Sequence, residues 1–319
     1  MEKKRPHRLH TCTSADAFPA AFCDETGHSI YDVVARFCGG AVPCGVVLGG
    51  SIPLGLGSPA SDVDLLILLD PPSTTGNGTA GNGVPALPQQ DPRTGVVFSA
   101  TFASDGGTRL ASGEVVAMMG GVEVNGQLLS AVAVGELIRR GVGARVSLTA
   151  HEIGLLSRLK TGWTLLRGPS FDRHCGALLS GNALEIHAVT WYLVGAVQEL
   201  EDARAAVADS PMLALHLGRS CAERCVLAYF ASRGFAYLGS KWLRALEPDS
   251  PAHRLRALAD GIPGGFAALE LMFPARDDAA EAYLDRVAAL VATTRQVIEQ
   301  DRAFRIAFSL CPQLRSRPP

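Results

Sequence analysis

The chain has 319 residues, 47% of them hydrophobic, and a formal net charge of −2. That apolar content excludes a globally disordered chain, and the length points to two domains, since single cores seldom grow past about 250–300 residues. A balanced charge without a long basic stripe makes a nucleic-acid polymer a poor default partner.

In chain order, residues 1–15 read as a polar, flexible tail. The opening Met1-Glu2-Lys3-Lys4-Arg5 is basic, but no apolar run of signal-peptide type follows it. With no stretch of about 18 uncharged apolar residues either, no membrane span is expected and the location reads as cytoplasmic. From Ala17 to Phe37 apolar residues recur at helical spacing, and Gly39-Gly40 closes the helix. Val42–Leu48 and Val63–Leu69 read as the first two strands. A Gly, Asn, Thr, Pro and Gln tract over about 71–95 has little to bury and is expected to be a flexible surface insertion. Val96–Phe102, Glu114–Met119 and Val122–Val132 read as further strands, with turns at Asp105-Gly106-Gly107 and Gly120-Gly121. Val134–Arg140 is a short helix.

After Gly143 alanine- and leucine-rich segments replace the glycine-rich strands. Helices are expected over His151–Lys160, Phe171–Leu179, Ala183–Ala208, Met212–Arg233, Lys241–Leu246, Ala252–Leu258 and Ala279–Gln300. Asp209-Ser210-Pro211 separates the two long ones, with Pro211 suited to a first helical turn. The pattern predicts an α+β protein: a mixed sheet with flanking helices over 16–142, then an all-helical bundle over 143–319. Eight cysteines include no C-x-x-C pair. They read as free thiols packed as small hydrophobes in a reducing compartment.

The chemistry concentrates between the first two strands. An apolar strand runs into Gly49-Gly50-Ser51, and ten residues (52–61) later a second apolar strand opens with Asp62-Val63-Asp64-Leu65. Alternation puts Asp62 and Asp64 on one face, about 6–7 Å apart along the chain, with Val63 turned into apolar packing. Two carboxylates side by side suit a hard divalent cation such as Mg²⁺, which keeps waters and also binds substrate phosphates. Backbone N–H groups at a glycine turn can approach phosphate oxygens because no Cβ obstructs them. Charges in an otherwise apolar strand are costly unless paired or metal-bound.

This arrangement resembles the DNA polymerase β superfamily of nucleotidyltransferases, whose signature is Gly-Ser, a spacer, then Asp-x-Asp. Gly50-Ser51, Gly55 and Ser61-Asp62-Val63-Asp64-Leu65 match it, whereas Leu54 stands where many small members carry a basic residue. The order of a catalytic half and a helical half resembles antibiotic-modifying and related small-molecule nucleotidyltransferases. The resemblance implies a Mg²⁺-dependent enzyme, with two ions, that moves a nucleoside monophosphate from ATP or another NTP onto a small-molecule acceptor and releases pyrophosphate. Asp62, Asp64 and a third carboxylate would hold metal. Gly49, Gly50, Ser51 and Ser61 would meet the triphosphate, and the helical half would shape the acceptor pocket. Two further readings are a protein-modifying nucleotidyltransferase of toxin–antitoxin type and a degenerate nucleotide-binding regulator. A homodimer is compatible with any of them.

The third carboxylate is assigned to Glu123, on the strand where Glu123, Asn125 and Gln127 share a face, with Glu114 as a competitor. Lys241, opening a helix after Gly239-Ser240, is assigned to the triphosphate, with Arg224 as a lesser candidate. Glu185 could serve as a base from the helical half, although favourable charge at a helix N-terminus explains it more simply. His151 and His187 read as structural, and Glu199-Leu200-Glu201-Asp202 as a solvated helix face. Trp163 suits either the core or a stacked ligand.

Overall fold

The computed structural model describes residues 6–70, 97–102, 111–143, 148–239, 261–263, 266–274 and 279–315. The expected insertion over 71–95, the turn at Asp105-Gly106-Gly107, and the helices at Lys241–Leu246 and Ala252–Leu258 lie outside the described residues. The chain divides into two compact units, Met1–Val146 with Arg158–Gly181, and Ser147–Ser157 with Asn182–Pro319.

The first unit is built on a six-stranded sheet. Strands β1 (Pro43–Gly49), β2 (Val63–Leu69), β3 (Val97–Phe102), β4 (Ala111–Met119), β5 (Val122–Ser130) and β6 (Trp163–Arg167) lie in the order β3-β4-β5-β2-β1-β6. β2 and β5 run parallel, and the other neighbours pair antiparallel. Central β1 and β2 are continuous apolar runs because both their faces are covered. β5 instead alternates buried and half-buried residues, so one of its faces stays polar.

Helices α1 (Phe18–Thr26) and α2 (Ile30–Cys38) close one face of the sheet. Phe18, Phe22, Ile30, Val33 and Phe37 share a core with Val46, Leu48, Val63, Leu65, Ile67, Val122 and Val124. A Cβ at Gly126 would lie 2.6 Å from the Phe37 ring, so glycine there lets α2 sit close to β5. Where one helix was expected over Ala17–Phe37, two form. Gly27 ends α1 in the left-handed region at φ 74°, and the Ser29 hydroxyl caps α2 by accepting from the Tyr31 N–H.

The opposite face carries the even-numbered residues of β2 and the odd-numbered residues of β1 and β5. α3 (Ala131–Gly143) follows β5 directly, one turn earlier than its sequence pattern suggests. α5 (Pro169–Ser180) lays Phe171 where a Cβ at Gly45 would stand 2.1 Å away. The predicted change to helices after Gly143 is therefore interrupted: β6 and α5 belong with the sheet, as does the last turn of α4 (Ala150–Thr161) from Arg158. β6 was missed because Trp163-Thr164-Leu165-Leu166 is too short an apolar run to separate strand from helix by periodicity.

The polar tail expected over 1–15 is corrected for the described residues from Pro6 onward. Residues 9–11 form a short 3₁₀ turn, Leu9 is fully buried in the core, and His7 is 3% exposed. Buried Leu9 and the two hydrogen bonds of His7, to the Leu9 N–H and the Ser61 carbonyl, hold this segment against the unit.

In the second unit α6 (Ala183–Ala206), α7 (Pro211–Ser232) and α9 (Ala280–Ile298) carry the core, with α8 (Phe266–Glu270), α10 (Arg302–Leu310) and α11 (Pro312–Arg315) around them. Small residues bring the long helices together. A Cβ at Gly218 would meet Leu284 at 2.6 Å and Tyr283 at 2.7 Å. All eight cysteines are free, and Cys38, Cys44, Cys175, Cys221 and Cys225 are buried as small hydrophobes. No described helix is long and apolar enough to cross a membrane.

Candidate active site

The site forms at one end of the sheet, where β1 stops and β2 starts. Gly49 pairs with Asp64 across the antiparallel ladder. Gly50 takes φ 72°, and a Cβ on it would stand 2.2 Å from Asp64 Oδ2. Two separate constraints therefore require glycine at position 50: the left-handed backbone and the space filled by the carboxylate. Ser51 follows, 5% exposed, and its carbonyl accepts from the Leu56 N–H at 2.9 Å. Buried Ile52 pins this turn into the core.

The remaining connection is tied down by hydrogen bonds. Ser58 N–H donates to Ser61 Oγ at 2.8 Å, and Ser61 N–H donates back to the Ser58 carbonyl at 3.0 Å. The Ser61 hydroxyl, expected at the triphosphate, thus also holds its own loop. His7 N–H donates to the Pro59 carbonyl at 2.8 Å. His7 Nδ1 accepts from the Leu9 N–H, which leaves the proton on Nε2 for donation to the Ser61 carbonyl at 2.7 Å. The amino-terminal segment therefore anchors the residue immediately before Asp62.

Asp62 and Asp64 are both half-buried, on either side of fully buried Val63. In the parallel β2–β5 register Asp64 stands level with Asn125 and Val63 with Val124. One step earlier on each strand come Asp62 and Glu123, so the expected third carboxylate is on the adjacent strand and on the polar face. Glu123 Oε1 accepts from Asn125 Nδ2 at 3.4 Å. Among the described residues no group of three or more His, Cys, Asp or Glu side chains converges to hold a metal ion. Glu114 is exposed and pairs with Gln127, farther from Asp64.

Arg158 was not anticipated. It comes from the last turn of α4, lies beside Gly49 and donates through Nη2 to Gln127 Oε1 at 3.2 Å. A half-buried arginine beside Gly49 brings positive charge to the end of β1 where the glycine turn begins. No local signal marks it, because Leu155-Leu156-Ser157-Arg158 reads as any amphipathic helix end.

The remaining candidates lie elsewhere. Trp163 pairs with Leu48 and packs against the core. His187 Nε2 accepts from the Leu148 N–H at 3.1 Å, and burial lowers its pKa, the behaviour of a structural histidine. His151 is exposed. Glu185 is 4% exposed on α6, a deeper position than a solvated first-turn charge would take. Glu199 is half-buried and ion-paired with Arg224 at 2.9 Å, so only Glu201 and Asp202 form the solvated face expected there. Lys241 lies outside the described residues.

No family model and no curated protein matches the chain. Among solved structures it is similar to a nucleotidyltransferase-like protein from Exiguobacterium sibiricum 255-15, at 10% sequence identity and a TM-score of 0.31. That similarity covers 85% of this chain and 78% of the other.

Proposed function

We propose that this protein transfers a nucleoside monophosphate, AMP from ATP first, to a hydroxyl of a small-molecule acceptor and releases pyrophosphate. The observation that carries this reading is the fit of Gly50 against Asp64: a left-handed glycine whose missing Cβ leaves room for a carboxylate oxygen. A glycine turn of this kind can offer N–H groups to a phosphate beside a carboxylate able to bind metal, which supports the reading.

Asp62 and Asp64 have the hard oxygen chemistry that Mg²⁺ prefers, and they are the residues that would hold it. Glu123 would have to leave Asn125 to join them. When bound, the cation would neutralise the triphosphate and lower the cost of charge on the attacking and leaving oxygens. The Gly49-Gly50-Ser51 turn would receive the β- and γ-phosphates, and Arg158 would add positive charge to the same end of the sheet. The acceptor oxygen would bond to the α-phosphorus as its bond to the bridging oxygen breaks, with the acceptor's proton passing to Glu123.

A thermal-shift panel of the four NTPs with Mg²⁺ tests this, because a ligand that binds only the native state raises Tm by mass action. At least one NTP is expected to stabilise the wild type. Asp62→Asn and Asp64→Asn are expected to abolish pyrophosphate release while circular dichroism stays unchanged. Normal turnover in either variant would remove the metal assignment.

A nucleotide-binding regulator without turnover is a second reading, favoured by the Glu123–Asn125 hydrogen bond and by the absence of a converged three-ligand group among the described residues. It expects Mg²⁺-dependent NTP binding, no pyrophosphate release across an acceptor panel, and no effect of Glu123→Gln.

A further inference from the structure

The second unit holds a cavity of about 250 Å³ between α6, α7 and the segment after α7. Trp191 and Tyr192, with ring centroids 5.0 Å apart, line it together with Tyr237. Trp191 and Tyr237 remain 38% and 42% exposed, although neighbouring α6 and α7 residues bury their apolar side chains. Half-exposed aromatic faces converging on a concave site are the usual lining of a ligand pocket.

The charges there do not cancel. Arg224 Nε stands 2.9 Å from Glu199 Oε1, and its guanidinium lies 5.4 Å over the Trp191 ring. Gly195 provides the space, since a Cβ there would fall 2.8 Å from Arg224 Nη1. Arg224 and Glu199 thus form a neutral pair. Glu223 lines the same cavity, half-buried, and makes no side-chain hydrogen bond or ion pair among the described residues. One uncompensated carboxylate therefore faces a space walled by aromatic rings.

We propose that this cavity binds a small organic ammonium ion, with its charge beside Glu223 and its apolar body against Trp191 and Tyr237. Ring faces and a carboxylate both attract a cation, and each does so more strongly where water is excluded. An anionic ligand would be repelled by Glu223 and would find Arg224 already paired. The volume matches that of about eight waters at about 30 Å³ each, which limits the ligand to a small molecule. Every described residue lining the cavity belongs to the second unit.

The test uses the full chain and two probes of the same shape, benzylammonium and benzyl alcohol, followed by titration calorimetry and tryptophan fluorescence. Benzylammonium is expected to bind saturably and at least about tenfold more tightly than the alcohol, a ratio within the range of cation–π and charge effects. Glu223→Gln should erase that preference, Trp191→Leu should weaken both probes, and Asp64→Asn should bind like the wild type. The Asp64→Asn result separates this site from nucleotide binding, so either proposal can fail alone. No saturable binding of benzylammonium to the wild type, equal affinities for the two probes, or an unchanged preference in folded Glu223→Gln would each overturn it.

Discussion

Position 50 is where one atom matters most. Gly50→Ala forces an L-residue into φ 72° and places its Cβ against Asp64 Oδ2. Strain of this kind costs about 1–3 kcal/mol, and the carboxylate must also move. Denaturant unfolding is expected to show that loss, together with loss of Mg²⁺·NTP stabilisation. A variant as stable and as responsive as the wild type would mean that the turn does not serve a phosphate. The buried thiols give a second prediction at this scale. Burial pushes Cys38 and Cys44 from the ordinary 9.0 up to about 11, with the Asp70 charge adding to the rise at Cys44. A pKa raised by folding contributes stability that is complete below the unfolded value and disappears as pH climbs through the folded one. Tm should thus fall across about pH 9 to 11, and Cys38→Ala and Cys44→Ala should each flatten that fall. An unaltered slope in the double variant would assign the alkaline loss to other groups.

Among the elements, the amino-terminal turn matters more than its length suggests. His7 satisfies the Leu9 N–H and the Ser61 carbonyl at once, and buried Leu9 holds it in place. His7→Ala leaves both backbone groups without that partner, at a cost of about 1–3 kcal/mol. Its unfolding free energy should drop by that amount, and His7→Gln, which can still donate to Ser61, should recover part of it. A loss under about 0.5 kcal/mol in His7→Ala would show that Leu9 alone orders the segment. Pro6-His7-Arg8-Leu9 is polar enough to pass for a tail, because one buried leucine makes no periodic signal. By contrast, β1, β2, α6 and α7 were legible to within a few residues, since long apolar runs and proline or glycine stops are local features.

For the whole molecule, the proposed chemistry assigns nucleotide contacts to one unit's sheet end. Hydrogen exchange with Mg²⁺·ATP should therefore slow amides over residues 48–64 and 122–127 of the first unit. Exchange in the second unit near Trp191 and Glu223 should respond to benzylammonium without nucleotide. Protection by Mg²⁺·ATP that spares residues 48–64 would remove the glycine turn from the phosphate site.

The sequence by itself determined the Gly-Gly-Ser turn, the Asp62–Asp64 pair and the apolar strands around them. Each depends on interactions within a few residues: glycine's freedom at positive φ, alternation along a strand, and the cost of a charge in an apolar run. Tertiary structure decided what stands next to that pair. A parallel register can slip without changing either strand's own pattern, and the observed one brings Asn125 level with Asp64 and Val124 level with Val63. Arg158 reaches the site from α4, His7 braces Ser61 from the other end of the unit's chain, and β6 completes the sheet beyond β1. These partners are brought together by burial of apolar surface, which is non-directional, so no local pattern names them in advance.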